Sequence, residues 1–206
     1  MTYKHLSFVS LFAVAALSAS AQRNVENFNF GWQFHRGNID VTAINTSDGS
    51  WETINVPHDF QISQPWVAPA ANESEDNSDG ASNFKSRLSA RGFKEMGDGW
   101  YVKTYTPAAD MKGRRILLDF EGIMYVGDVY LNGKRIGGTD YGYLGFDIDV
   151  SKLLKYGQAN TIAVHASTSG PLNSRWYTGG GLYRDVKIVS TPADIYFVRH
   201  PLYVTT

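Results

Sequence analysis

The sequence predicts an all-β protein, folded as an antiparallel β-sandwich. The clearest signal lies in residues 114–138, where Ile116, Leu118 and Phe120 recur at every second position, as in a strand that buries one face. A second alternating run follows, and Asn132-Gly133 supplies the residue pair that best tolerates the positive φ angles of a type I′ hairpin turn. Similar short runs recur along the chain, separated by turn residues and without a long helical pattern, which favours a sandwich.

The turn at Asn132-Gly133 also predicts the register of a hairpin. Leu131 is expected opposite Lys134, and Val129 opposite Ile136, where the two apolar side chains would form a buried cross-strand pair. Successive side chains on a strand point to opposite faces. A register shifted by one residue would therefore turn this pair away from the core.

The other face of the strand before the hairpin is expected to be wet, and it carries Leu117, Asp119 and Glu121. Acid–base catalysis by two carboxyl groups needs a sheltered site that raises the pKa of one of them. On a wet face, Asp119 and Glu121 are instead expected to be solvated charges.

A second candidate pair, His58-Asp59, follows Pro57. Its expected role is a turn in which Asp59 caps its own backbone, and the alternative is a catalytic pair.

The remaining elements follow from the same alternation. Residues 28–34 carry aromatic side chains at alternate positions, which predicts one buried row. Residues 151–156 predict a single helical turn, and residues 195–198 predict the start of another strand. The predicted inward rows are Phe28, Phe30, Trp32 and Phe34, then Ile162, Val164 and Ala166, then Val186 and Ile188.

Composition and charge narrow the class of protein. The chain has 206 residues, no cysteine, and 19 basic against 20 acidic side chains, a balance that favours neither nucleic acid nor a membrane as partner. Residues 1–21 predict a signal peptide, with a basic start, an apolar run too short to span a bilayer, and small residues before the cleavage site after Ala21. A secreted or periplasmic location follows. Without disulfides the mature domain must be held together by packing.

Five motifs in order resemble the N-terminal domain of glycoside hydrolase family 2, with secreted bacterial β-galactosidases as the nearest comparison. The resemblance covers about residues 27–188, most of the chain after the signal peptide. The motifs are Gly31-Trp32-Gln33-Phe34, Val56-Pro57-His58-Asp59, Gly99-Trp100-Tyr101, residues 129–134 (VYLNGK) and residues 175–185 (RWYTGGGLYRD).

The resemblance implies a jelly-roll, galactose-binding-like sandwich at residues 22–192, called sugar-binding in the family. Residues 193–206 would begin the next domain or a linker. In the family, an immunoglobulin-like domain and a TIM barrel follow, and the barrel holds the two catalytic carboxylates. Asn72-Glu73 matches the family's acid/base dipeptide, but it lies in an acidic, serine-rich stretch and is assigned no catalytic role. The resemblance thus implies a non-catalytic domain that is inactive alone and helps to build a galactoside-binding site.

The resemblance also implies site residues. Asp185, directly after the Gly-Leu-Tyr-Arg run, would help to hold the galactosyl group and a sodium ion of the full-length enzyme; the alternative is surface pairing with Arg184 or Arg175. Trp176 and Tyr177 could stack on a sugar ring, or pack in the core or an interface. The glycines at residues 179–181 would let the backbone approach closely. Arg184 is expected to hold a domain interface or the carbonyls of this glycine-rich loop.

Some relatives use an asparagine near residues 95–98 as a further sugar contact. No asparagine occurs there in this chain, and Asp98 is its candidate substitute.

Two other classes of function stay open at this point. The chain could be a free-standing carbohydrate-binding module that holds glycans by itself, or a structural module whose aromatic side chains serve its interfaces. Binding to glycans by the isolated chain favours the first, whereas an exposed apolar patch without glycan binding favours the second. The preferred glycoside and the oligomeric state do not follow from the sequence.

Overall fold

A computed structural model of the protein describes residues 22–67, 93–169 and 177–199. The described residues form ten strands and two 3₁₀ turns, at Val41–Ala43 and Ala109–Met111. The strands are β1 Asn24–Asn27, β2 Trp32–Arg36, β3 Glu52–Ile54, β4 Asp98–Tyr105, β5 Arg115–Phe120, β6 Val126–Leu131, β7 Lys134–Thr139, β8 Phe146–Asp149, β9 Asn160–Ser167 and β10 Val186–Thr191.

The strands form two antiparallel sheets, one with the order β1-β10-β5-β8 and the other with the order β3-β2-β4-β9-β6-β7. Neighbours in space are often distant in sequence; β1, for example, pairs with β10. The chain therefore crosses between the sheets several times, and the loops that make these crossings gather at the ends of the sandwich. The predicted all-β, antiparallel sandwich is confirmed.

The core lies between the two sheets and is built by the predicted alternation. The predicted apolar rows of β5, β9 and β10 all point inward, and none of their residues exposes more than a trace of its surface. Large aromatic side chains from β2 and β4 fill the same space. The buried residues of these rows are Ile116, Leu118 and Phe120, then Ile162, Val164 and Ala166, then Val186 and Ile188, with Trp32, Phe34 and Tyr101 from β2 and β4.

The β6–β7 hairpin turns where predicted but differs in register. Asn132 and Gly133 both have positive φ, 52° and 79°, as a type I′ turn requires, and Leu131 lies opposite Lys134. The predicted pairing of Val129 with Ile136 is wrong, because a β-bulge places Gly137 opposite Val129. Ile136 still packs against the core.

The aromatic row before β2 is interrupted. Phe28, Trp32 and Phe34 are buried as predicted, but Phe30 is 64% exposed. The reason is the backbone at Gly31, which turns with a φ of +73°, so that β2 begins only at Trp32. The alternation of aromatic residues therefore continues across the turn at Gly31, and the sequence pattern alone does not indicate that turn.

The outer face of the first sheet was predicted to be exposed to water. It is instead covered, because the segment after β10 packs on it. Arg199 forms an ion pair with Asp119, and the guanidinium of Arg115 lies 4.1 Å from the ring centroid of Tyr196. Leu117 is buried on this face. The predicted strand at residues 195–198 is wrong, since the segment pairs with no strand of the described chain.

The amide of Leu154 donates to the carbonyl of Val150, four positions earlier, so the single helical turn predicted in residues 151–156 is present at its start. Glu121 is not a free solvated charge, because it forms an ion pair with Lys187. The predicted signal peptide at residues 1–21 and the last part of the predicted 193–206 segment lie outside the described residues, so the domain bounds stay predictions. Within the described ranges, no helix combines the length and apolarity needed to cross a bilayer.

Candidate functional site

The glycine-rich loop that ends in Leu182 lies directly against the chain segment that follows β3. The amide of Phe60 donates to the carbonyl of Gly180 at 2.9 Å, and the amide of His58 donates to the carbonyl of Leu182 at 2.7 Å. A Cβ at Gly180 would lie 2.6 Å from Cγ2 of Thr168. The close approach expected of these glycines is therefore present, and it fixes the loop on the sandwich.

Asp59 is the residue that ties this loop to the β3–β4 connection. Its Oδ1 accepts hydrogen bonds from the amides of Gln61, at 3.0 Å, and Gly180, at 2.9 Å. Its Oδ2 accepts a hydrogen bond of 2.7 Å from the hydroxyl of Tyr177. Asp59 thus caps its own turn, as predicted, and in addition holds a residue 118 positions away.

His58 does not form a catalytic pair with Asp59. Its Nδ1 lies 2.9 Å from the hydroxyl of Tyr101, and its ring packs edge-on against Phe34. Burial lowers the pKa of His58, which favours the neutral imidazole. The histidine therefore serves as a packed, hydrogen-bonded support beneath the glycine-rich loop.

Tyr177 forms one wall of an open cleft of about 390 Å³, whose other lining residues are Ile62, Trp66 and Lys94. Trp66 is 72% exposed and Tyr177 is 37% exposed. Burial, together with the hydrogen bond to Asp59 and its charge, raises the pKa of Tyr177, so the phenol stays a neutral donor. The cleft thus offers two partly exposed aromatic rings whose apolar faces match the C–H surface of a sugar.

Lys94 lies at the edge of the same cleft. Its Nζ is 4.1 Å from the ring centroid of Trp66 and donates a hydrogen bond of 2.7 Å to the carbonyl of Gln64. Sequence reasoning missed both Trp66 and Lys94. The available signal was a lone tryptophan after Pro65, outside any alternating run, where burial in a strand does not explain a large aromatic side chain.

The structure places Asp185 elsewhere, beside the first sheet. Its Oδ1 accepts a hydrogen bond of 2.9 Å from Nδ2 of Asn29, and its Oδ2 lies 3.9 Å from Nζ of Lys187. The side chain of Asp185 is 40% exposed. Asn29 in turn accepts a hydrogen bond from the amide of Val186. The expected alternative partner Arg184 instead points to the carbonyls of Glu121 and Tyr143, not to the glycine-rich loop.

These surroundings do not by themselves make a sodium site. Sodium takes several oxygen ligands, whereas the ammonium of Lys187 lies between Asp185 and Glu121. Among the residues that the structure describes, no three histidine, cysteine or acidic side chains are grouped to hold a metal ion. An ion at Asp185 would need oxygen ligands from elsewhere.

Asp98 occupies a third environment, at the start of β4. Its Oδ1 lies 2.9 Å from Nε2 of His165, and its backbone carbonyl accepts a hydrogen bond from Arg36. Trp176 lies outside the described residues. Of the predicted site residues that the structure describes, only Tyr177 therefore lines the cleft, and Asp98 and Asp185 each have partners of their own.

Comparisons with known proteins place this geometry in a family. A protein-family model described as "Glycosyl hydrolase 2 galactose-binding domain-like" matches residues 86–174. A putative β-glucuronidase of Formosa agariphila is 34% identical over 187 residues, which is 90% of this chain. The β-galactosidase BoGH2A of Bacteroides ovatus is 30% identical over 195 residues, or 94% of this chain. The chain is a galactose-binding-like domain of glycoside hydrolase family 2.

Solved family 2 structures contain a similar domain. A family 2 member from Bacteroides cellulosilyticus superposes with a TM-score of 0.66 at 32% identity, and a putative β-galactosidase from Bacteroides fragilis with a TM-score of 0.62 at 30% identity. Each match covers 82% of this chain, but only 20% and 23% of those chains. The two sequence relatives are likewise covered over only 16% and 21% of their length. The galactose-binding-like domain is thus a small N-terminal part of longer family 2 proteins.

Proposed function

We propose that this galactose-binding-like domain is a non-catalytic, sugar-contacting part of a longer family 2 glycosidase that acts in carbohydrate metabolism on a β-galactoside or a related β-glycoside. The observation that carries the proposal is the cleft of Tyr177, Trp66, Ile62 and Lys94, with Tyr177 held by Asp59. Exposed aromatic faces beside polar groups suit a sugar ring. The relatives' names, β-galactosidase and β-glucuronidase, support a β-glycoside as the ligand.

The domain would supply one wall of a binding site, with the rest, including both catalytic carboxylates, coming from a TIM barrel. Glycoside hydrolysis requires two carboxyl groups placed across the scissile bond. In the described part of this chain, Asp119 and Glu121 are each engaged by a cation, Arg199 and Lys187. We therefore assign catalysis to other domains.

An immunoglobulin-like domain is the proposed neighbour, together with the barrel. Support comes from the segment after β10, where Ile195, Phe197 and Val198 are exposed although Arg199 is anchored by Asp119. Consecutive exposed apolar side chains on an anchored segment suit an interface. We further propose a jelly-roll topology and, from residues 1–21, a secreted or periplasmic location.

The cleft is tested by ligand-observed NMR on the purified chain with methyl β-D-galactoside. Because a single wall leaves much of the sugar in water, we expect weak binding that is lost in Tyr177→Ala and in Trp66→Ala. Phe30→Ala, which removes an exposed aromatic side chain on the β1–β2 turn, is the matched control and should bind as the parent does. Saturation transfer that is the same in all four proteins would refute the cleft as a sugar site.

The predicted roles of Asp185 are tested in a longer enzyme that contains this domain. Asp185→Ala should weaken galactoside binding and reduce the dependence of activity on sodium. Asn29→Ala is the comparison, because it removes the hydrogen-bond partner of Asp185 without removing the carboxylate. If Asp185→Ala leaves both responses unchanged, the residue has a structural role only.

A further inference from the structure

One cationic side chain lines the described part of the cleft. Among the described residues that line the cleft, Ile62, Trp66, Lys94 and Tyr177, only Lys94 is charged. Its ammonium group forms no ion pair with an acidic side chain of the described residues. Its contacts there are the carbonyl of Gln64 and the ring of Trp66.

An ammonium group has three N–H donors. The carbonyl of Gln64 accepts a hydrogen bond from one of them. The ring face of Trp66 attracts the cation electrostatically, but it is not a directional hydrogen-bond acceptor. Donor capacity therefore remains at the edge of the cleft. A negatively charged acceptor there would form a charge-assisted hydrogen bond, which is stronger than one to a neutral hydroxyl.

The carboxylate of Asp59 forms no ion pair with Lys94. Its two oxygens are already occupied by the amides of Gln61 and Gly180 and by the hydroxyl of Tyr177. The described surface of the cleft combines the side chains of Ile62, Trp66 and Tyr177 with one cation, which is complementary to a ring that has an apolar face and an anionic substituent.

We infer that the cleft binds an anionic sugar, with the ring against Tyr177 and Ile62 and its carboxylate or sulfate group on Nζ of Lys94. The inference rests on the proposed function, because it specifies the ligand of the same cleft. It makes Lys94 a residue that determines specificity. Since Lys94 lies at an open edge, the gain is moderate: we expect about three- to fivefold tighter binding than for the neutral sugar, as for a partly exposed charge pair.

The test uses two pairs of methyl β-glycosides and the purified chain. Methyl β-D-glucuronide and methyl β-D-glucoside differ only at C6, where one has a carboxylate and the other a hydroxymethyl group. Methyl β-D-galactoside 6-sulfate, compared with methyl β-D-galactoside, tests a sulfate. Dissociation constants come from NMR titration at low and at high sodium chloride, because salt screens an exposed charge pair. We expect the anionic member of at least one pair to bind more tightly, and this advantage to shrink in high salt.

Three variants assign the preference to Lys94. Lys94→Met keeps the apolar stem and removes the charge, so the anionic and neutral sugars should bind equally. Lys94→Arg should keep the preference, and Lys134→Met, at the exposed hairpin turn, should leave it unchanged. Thermal unfolding of each variant checks that the fold is intact, and Lys94→Gln replaces Lys94→Met if the latter fails to fold.

The outcomes separate this inference from the proposed function. Equal binding of both members of each pair, with binding still lost in Tyr177→Ala, overturns the inference and leaves the sugar site standing. An anionic preference that persists in Lys94→Met also overturns it. If no glycoside binds in a way that depends on Tyr177 or Trp66, the proposed function fails, and the inference fails with it. Preference in one pair alone identifies the carboxylate or the sulfate as the ligand group.

Discussion

The hydroxyl of Tyr101, in the core, lies 2.9 Å from Nδ1 of His58. The amide of Leu182 also hydrogen-bonds this hydroxyl, and burial raises the pKa of Tyr101 well above its ordinary value. Gly181 passes so close that a Cβ there would overlap the phenol oxygen. A core residue of β4 thus supports the loop that carries Tyr177 into the cleft.

Gly181→Ala should be strongly destabilising. The new methyl group would overlap the hydroxyl of Tyr101, and the φ of +113° at this position is unfavourable for alanine. Overpacking and backbone strain together should lower the free energy of unfolding by about 3 kcal/mol. Gly113→Ala is the control, since its φ is +92° but nothing lies within 4 Å. Urea unfolding measures both variants, and an equal loss in the two would show that Gly181 is not tightly packed.

Removing the carboxylate of Asp59 should loosen the glycine-rich loop. Asp59→Ala leaves the amides of Gln61 and Gly180 without their acceptor, whereas Tyr177→Phe removes only one of three hydrogen bonds. We expect losses in unfolding free energy of about 3 kcal/mol and about 1 kcal/mol, respectively. Thermal and urea unfolding give the order. If Tyr177→Phe costs as much as Asp59→Ala, the amide contacts contribute little.

Stability should depend on the protonation of His58. Burial, partly opposed by the charges of Glu52 and Asp59, lowers the pKa of His58 in the folded protein. In the unfolded chain the imidazole takes up a proton as the pH falls through about 6.5. The contribution of His58 to the free energy of unfolding is therefore full above that pH and is lost as the pH falls toward the lower, folded pKa.

Urea unfolding of the parent and of His58→Gln between pH 8 and pH 5 measures this effect. The loss of stability on acidification should be smaller in the variant, because glutamine does not titrate, while all other histidines are common to both proteins. Identical pH profiles would mean that the pKa of His58 is the same in the folded and unfolded chains.

Val129→Asp should unfold the domain. Val129 is fully buried between the sheets, and an unpaired carboxylate there should cost about 3–5 kcal/mol, a large part of the stability of an ordinary domain. Val25→Asp, at a half-exposed position on the edge strand β1, should have a small effect. Circular dichroism and thermal unfolding distinguish the two. A soluble Val129→Asp variant that unfolds cooperatively near the parent midpoint would contradict the inward orientation of Val129.

The purified chain should not hydrolyse a chromogenic β-galactoside. The acids that share a strand face, Asp119 and Glu121, are paired with Arg199 and Lys187 rather than placed across a sugar-sized gap. Release of the chromophore is followed for hours at high protein concentration, with a longer family 2 enzyme as the positive control. Turnover that copurifies with the chain would place catalytic residues within it.

Much of the fold could be predicted because it is encoded locally. Alternation identified the inward residues of β5, β9 and β10, and the positive φ angles of Asn132 and Gly133 followed from their chemistry. Local patterns failed where contacts between distant segments decide the structure. No periodicity in the sequence indicates three such features. These are the bulge at Ile136, the turn at Gly31 and the segment that covers Leu117.

The site was harder to predict for the same reason. Tyr177 was identified from its motif, but its partner Asp59 lies 118 positions away, and Trp66 and Lys94 meet it only in the folded chain. Asp185 shows the opposite case. Its motif predicts a sugar and ion contact, while its neighbours Asn29 and Lys187 are supplied by the turn after β1 and by β10, respectively.

The packing of the glycine-rich loop on Tyr101 and Phe60 determines where this domain can acquire new specificity. A mutational library at residues 179–181 would lose soluble protein before it changed ligand choice, because each added side chain meets the interior of the sandwich or the Asp59 carboxylate. Trp66 stands mostly in solvent. Substitutions there and at Lys94 add no side chain to the interior, so selection on the proposed cleft should act at these two positions with less loss of folded protein than at residues 179–181.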